Sequence, residues 1–160
     1  MEPTAELLDL PKEYGTPKVV LAWPVVREKL EAATVYWLAT TRPDGRPHVV
    51  PRDGIWVDDA LWYGGAEETV HHRNVRANRS VVVSIGESLQ AVIVEGEVPE
   101  APQIDRAVAG RLAKAQAEKY PQYGPASPEQ FQGPGALIVR PRRVIAWTEY
   151  PTNATRFRFP

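Results

Sequence analysis

The chain has 160 residues, 43% of them hydrophobic and 24% charged, proportions that suit one packed domain and exclude a disordered or fibrous chain. Nineteen Lys and Arg face 20 Asp and Glu, a formal net charge of -1, so nothing draws the chain as a whole toward nucleic-acid phosphates. Cysteine is absent, which rules out disulfides, thiolate nucleophiles and Cys-ligated metals and fits a reducing compartment.

The opening residues Met1 to Glu6 are acidic and lack the basic and then apolar run of a signal peptide. No stretch approaches the ~18 apolar residues of a membrane span, so the expectation is a cytoplasmic protein with neither membrane nor nucleic-acid partners. A single domain over residues 1–160 is expected, with an arm over 1–22, a loop over 121–135 and a tail over 149–160.

Pro3, Pro11, Gly15 and Pro17 interrupt any regular period in the arm. Pro24 suits a first helical position, and Val26, Leu30 and Ala33 recur at helical spacing, which predicts a short helix over 25–33. The β-branched and aromatic run Val35 to Thr41 predicts a strand ending at Arg42-Pro43-Asp44-Gly45-Arg46, where Pro presets a negative φ and Gly accepts a positive one. A second strand follows over 47–57, and Asp58-Asp59 turns it into a third over 60–64.

Val70, Asn74 and Val75 share one helical stripe that runs to Asn78, with Thr69 placed to help start it. Strands are predicted over 80–85 and 91–98, a helix over 104–120 from Ile104, Val108, Leu112 and Ala115, and last strands over 136–140 and 144–148. Seven short strands with inserted rather than alternating helices favour an all-β barrel over a parallel doubly wound sheet. Val81 to Val83 and Val92 to Val94 are apolar on both faces, so their outer face needs a cover. A second subunit in a homodimer is the expected cover; the 104–120 helix is the alternative.

The run from Tyr36 to His48 resembles the first hairpin of the pyridoxamine 5'-phosphate oxidase-like FMN-binding split-barrel superfamily, especially its flavin/deazaflavin oxidoreductase branch. Three later pieces agree in order: Arg73-Asn74-Val75-Arg76-Ala77-Asn78, Val92-Ile93-Val94-Glu95-Gly96 and Pro141 to Trp147. The resemblance runs from about residue 24 to the end. It implies a six-stranded antiparallel split β-barrel, a homodimer with two cofactor grooves between subunits, coenzyme F420 or FMN as cofactor, and hydride transfer to a small-molecule substrate.

Carried over position by position, the family's phosphate-binding Ser or Thr, Arg and Lys fall on Thr69, Val70 and His71. Thr69 keeps a hydroxyl, the Arg is lost, and His71 is a weaker cation than Lys near neutral pH. Glu67 and Glu68 stand just upstream, which leaves His71, His72 and Arg73 with the helix N-terminus as the anion site. His48, Val49, Val50 and Pro51 fall where the family runs beside the cofactor ring, largely through backbone groups, and Arg52 follows as a possible replacement charge. Trp147 matches a tryptophan packed by the cofactor, and Arg156 or Arg158 a late basic contact.

Gly64-Gly65 allows close backbone approach, whether to a cofactor or to a neighbouring strand. Adjacent His71 and His72 lie ~100° apart on a helix, a poor spacing for a metal, so His71 is read as the phosphate contact and His72 as solvated. No nucleophile elbow, dinucleotide fingerprint or P-loop occurs. Two functions remain in view: a flavin- or deazaflavin-dependent oxidoreductase, and a non-enzymatic split barrel whose degenerate groove takes another ligand or a partner protein.

Overall fold

The structure, a computed structural model, describes residues 2–100 and 104–160. Met1, at the start of the expected arm, lies outside the described residues. The first half contains β1 (Thr4–Leu7), α1 (Trp23–Ala32), β2 (Tyr36–Thr41), β3 (Pro47–Arg52), β4 (Ile55–Val57), β5 (Ala60–Tyr63) and α2 (Val70–Ala77). The second half contains β6 (Ser80–Glu87), β7 (Gln90–Glu97), α3 (Arg106–Lys119), β8 (Leu137–Trp147) and β9 (Thr155–Arg158).

The strands run antiparallel in the order β1-β9-β8-β7-β6-β2-β3, with β5 joining β4 to β8. One edge of β8 pairs with β7, while the other pairs first with β5 and then with β9, so this single strand carries the split of the barrel. The all-β split-barrel architecture is thus observed; the resemblance implies six strands, and the seven read from the sequence become nine among the described residues. Three local effects make the difference.

The expected 47–57 strand breaks at Asp53-Gly54, where the Tyr120 hydroxyl substitutes for a ladder partner. It accepts from Gly54 N at 2.9 Å and lies 2.9 Å from Gly54 O and 3.0 Å from Thr34 O, its acceptors. Conversely, the two expected strands over 136–148 fuse into β8. Pro141 is accommodated where the register with β7 shifts between Glu95 and Gly96, and Gly96 passes so close to Arg140 O that a Cβ would collide. The arm and the tail contribute β1 and β9, which pair with each other from Thr4↔Arg158 to Leu7↔Thr155.

Local chemistry fixes the turns. Gly45 takes φ +85° in the β2–β3 hairpin, and Asp58 and Asp59 take φ 54° and 53° between β4 and β5, the double positive φ of a two-residue hairpin loop. Inside the barrel, Tyr36, Leu38, Val83, Val94, Val144 and Phe157 are sealed from solvent. A second apolar cluster lies under α3, where Ala109 and Leu112 meet Ile55, Trp62 and Ile138.

That placement answers which part of the wall α3 covers. It packs on β4 and its neighbours, not on β6 and β7, so the alternative in which α3 covers the Val81 and Val92 strands does not hold. Register leaves Trp37, Ser84, Ile93 and Ile145 in one row across the outer face of β2, β6, β7 and β8. Trp37 is 47% exposed, and Val49 beside it is 56% exposed. No helix among the described residues is long and apolar enough to cross a membrane.

Candidate functional site

Opposed residues of an antiparallel pair share a face. His48, Val50 and Arg52 of β3 stand opposite Thr40, Leu38 and Tyr36, so they face inward, while Val49 and Pro51 are exposed on the outside. The expected ring-side segment therefore divides between two faces. Among the described residues its other edge is free, because β3 pairs there with β2 alone. A free edge offers unpaired backbone donors and acceptors, and Pro47 and Pro51 keep it from recruiting another strand.

Helix α2 packs against the inner side of β2 and β3, tied down by buried Asn74, whose Nδ2 donates to Thr40 Oγ1 at 2.9 Å. That anchor sets the helix so that His71 and His72 are buried, 3% and 2% exposed, while Arg73 is exposed. His72, expected at the solvent, is instead held inside: its Nε2 lies 3.1 Å from Gly135 O, the acceptor, which makes Nε2 the protonated nitrogen. Its Nδ1 is then left to accept from the Thr69 hydroxyl at 2.9 Å, and His71 Nε2 stands 3.3 Å from the same oxygen.

Thr69 is the N-cap residue of α2, yet its hydroxyl makes no cap hydrogen bond and is shared between Ala66 O, at 2.8 Å, and His72. The first amides of α2 are consequently without a side-chain cap. Burial, then the Arg52 charge and the neighbouring His72 and His48, lower the His71 pKa to about 4. Burial lowers that of His72 as well, against the hydrogen bond to Gly135. Both rings are therefore neutral donors and acceptors at neutral pH, and the positive charge at this corner comes from Arg52.

Arg52 Nη2 donates to Gly64 O at 2.5 Å, and among the described residues the guanidinium has no carboxylate partner. Its Nε is buried without a hydrogen bond, as are His48 Nδ1 and the Tyr63 hydroxyl. The Tyr63 ring lies 6.0 Å from His71 and 6.2 Å from His72. Glu67 is paired with Arg76, and its charge also reaches His72, where it partly opposes the lowering by burial. Unmet buried donors each cost ~1–3 kcal/mol, and a set of them with an unpaired cation fits an anionic, acceptor-rich ligand. The residues present thus fit a phosphate-bearing coenzyme, with Arg52, Arg73 and the uncapped α2 amides as donors.

Gly64-Gly65 serves the backbone. Gly65 N donates to Gly135 O at 3.2 Å, and a Cβ on Gly135 would collide with Gly65 O. A Cβ on Gly65 would also come within 3.1 Å of His72 Cε1 and 3.4 Å of Arg52 Nη2, so the glycine keeps this corner open.

Trp147 and Arg156 lie apart from the corner. They alternate with the fully buried Ala146 and with Thr155 and Phe157, which puts them on the outer wall. There Trp147 Nε1 donates to Ser88 O at 2.9 Å and Arg156 pairs with Glu6 at 3.1 Å. Sequence reasoning missed Tyr63, Asn74 and Gly135 as parts of the site. Asn74 was visible as a polar residue three positions after His71 on the buried face; Gly135 sat in a stretch read only as loop.

The model of the family described as pyridoxamine 5'-phosphate oxidase matches residues 22–148. This chain belongs to that family. Among solved structures, a conserved hypothetical protein of Mycobacterium tuberculosis is 20% identical with a TM-score of 0.63, over 81% of this chain and 86% of that one. An F420 reductase is 26% identical, TM-score 0.54, over 74% of this chain and 94% of its own. A heme binding protein of Mycobacterium smegmatis, 20% identical with TM-score 0.59, is matched over 83% of this chain and 57% of that one, so the pyridoxamine 5'-phosphate oxidase fold carries more than one kind of ligand. No curated protein matches the chain.

Proposed function

We propose that the protein is a flavin- or deazaflavin-dependent oxidoreductase that works as a homodimer and exchanges a hydride between coenzyme F420 or FMN and a small unsaturated organic substrate. The observation that carries this reading is the corner at Arg52, where an unpaired guanidinium and buried, unsatisfied donors adjoin the free edge of β3. When bound, the coenzyme supplies hydride transfer, and water supplies or accepts the accompanying proton. The chain's own part is to bind and orient. Arg52 neutralises charge, the neutral His71–Thr69–His72 relay fixes donor directions, and the β3 edge offers backbone groups to a planar ring.

F420 is favoured over FMN by the resemblance to the deazaflavin branch and by the 26% identical F420 reductase. Arg73, exposed and without an ion pair among the described residues, is available to a polyanionic tail. The homodimer is supported by the outer row Trp37, Ser84, Ile93 and Ile145, mostly apolar, on which α3 does not pack and where Trp37 is 47% exposed. Two copies packed on that face bring Trp147 and Arg156 of one toward the other's groove in the arrangement that the family resemblance implies.

A non-enzymatic role for a degenerate groove is favoured by one observation, the uncharged state of His71 where the family has a cation. Native mass spectrometry of freshly purified protein, followed by titration with FMN and with F420, separates the two. A dimer binding one coenzyme per subunit is expected. A monomer that takes up neither at ~50 µM overturns the redox reading.

A further inference from the structure

Arg52 has a second side. Away from α2 it lines a cavity of about 150 Å³ whose other walls include Trp62, Gln116, Tyr120, Tyr123 and Phe131. Trp62, Tyr120 and Phe131 are buried, so the walls are fixed, and Tyr123 is exposed at the mouth. Its hydroxyl donates to the Asp53 carboxylate at 2.6 Å, which ties the mouth across from the β3–β4 break to the segment after α3.

We propose that this cavity binds a small planar carboxylate, the substrate class of the redox reaction above; the word substrate rests on that reading, whereas the binding site does not. Three observations lead there. A cavity of about 150 Å³ is the size that accepts benzene in a protein interior. Its walls are aromatic on the sides contributed by β5, through Trp62 and Tyr63, and by the segment after α3, through Tyr120, Tyr123 and Phe131, which suits a flat, polarisable ligand. Its cation is a guanidinium with a buried, unpartnered Nε and no competing carboxylate bonded to it among the described residues, and the planar fork matches a carboxylate. Asp53, the carboxylate in the lining, is exposed and engaged by Tyr123. Gln116 adds one neutral amide for a further polar substituent.

The placement also has chemical sense. Arg52 is common to the coenzyme corner and to the cavity, so a carboxylate held there sits at the end of the strand proposed to run beside the ring. An α,β-unsaturated or aromatic acid is the fitting class.

The test uses the whole protein without added coenzyme and benzoate as probe, with benzyl alcohol as its neutral counterpart, read by quenching of tryptophan fluorescence. Saturable benzoate binding is expected, with benzyl alcohol at least about tenfold weaker and Arg52→Met weakened by a similar factor. Because that variant perturbs a partly buried cation, amide NMR of the unaltered protein provides a second readout. Shifts confined to the residues lining the cavity, Gly54, Gly64, Trp62, Tyr120 and Phe131 among them, and to the Gln116 side chain support the site. Shifts elsewhere, no saturation by ~10 mM, or equal affinity for benzyl alcohol overturn it. Coenzyme titrations run in parallel keep the two readings apart: benzoate binding without coenzyme binding retains the cavity and removes the redox role, and the reverse removes the cavity alone.

Discussion

Along β2 the inward side chains Tyr36 and Leu38 are sealed among apolar neighbours, and the Tyr36 hydroxyl donates to Leu30 O at 2.5 Å. On the neighbouring β3, Arg52 opposite Tyr36 and His48 opposite Thr40 each keep a buried nitrogen without a partner. Two adjacent strands, one register and one face therefore meet opposite standards of completeness. Along β2 the interior is finished by the chain itself, the Nε1 of Trp56 on β4 being a buried donor left over elsewhere in the core, whereas the α2 corner gathers several unmet groups that a ligand would satisfy. The difference separates what stabilises the fold from what prepares it to bind, and mutations in the two regions should fail in different ways.

The largest effect belongs to the finished region. Phe157 is fully buried, with the Trp23 ring 5.3 Å away, and Phe157→Ala should cost ~3–5 kcal/mol in chemical denaturation while leaving coenzyme affinity of the folded fraction unchanged. A loss below ~1 kcal/mol would mean that the interior is less tightly packed than described. Next comes the outer wall. Trp37→Glu places a charge at the most exposed apolar side chain of the outer row and should weaken self-association by ~2 kcal/mol or more, measured by sedimentation at several concentrations. An unchanged association constant would move the subunit interface elsewhere.

In the unfinished region, Arg52→Met should weaken FMN or F420 binding by ~10–100-fold, the worth of a hydrogen bond to a charged group, with little loss of stability. Breaking the comparison requires the reverse outcome: unaltered affinity and a large drop in melting temperature would make Arg52 a structural residue held by Gly64 O.

How much of this was legible in the sequence follows the same division. The hairpin from Tyr36 to His48, the α2 stripe and the β6–β7 pair were readable because period and turn chemistry act over a few residues. The break at Gly54 was not, since it depends on Tyr120, 66 positions away. Nor was the pairing of the arm with the tail, Thr4 to Arg158, which no local signal encodes. In the site, Thr69, His71, Arg52 and Gly65 were recognised as a group, but the protonation of His71 was misjudged as partly cationic. A histidine's charge is decided by burial, and burial here is set by Asn74 anchoring the helix to Thr40.

That burial makes a pH test available, with a smaller expected effect. The folded His71 pKa of about 4 lies below its ordinary value of 6.5. As pH falls through this window, unfolded chains take up a proton that folded chains refuse, so melting temperature should fall from about pH 6.5 to about pH 4 and this contribution should be flat above it. His71→Gln should flatten the profile. Bound coenzyme should shallow it too, because a phosphate beside the ring favours the imidazolium.

The smallest effect sharpens the electrostatics of the corner. Glu67 and Glu68 both precede α2, but Glu67 is paired with Arg76, while exposed Glu68 has no ion pair among the described residues. An exposed pair contributes ~0.2–1 kcal/mol, so Glu67→Gln should lower stability by no more than that and release Arg76 without adding charge at Arg52. Glu68→Gln removes an unpaired negative charge near the anion corner and should tighten coenzyme binding more than Glu67→Gln does, most clearly at low ionic strength where screening is weakest. If Glu67→Gln tightens binding more, its carboxylate faces the ligand rather than Arg76, and the positive field assigned to Arg52 is partly cancelled in the native protein.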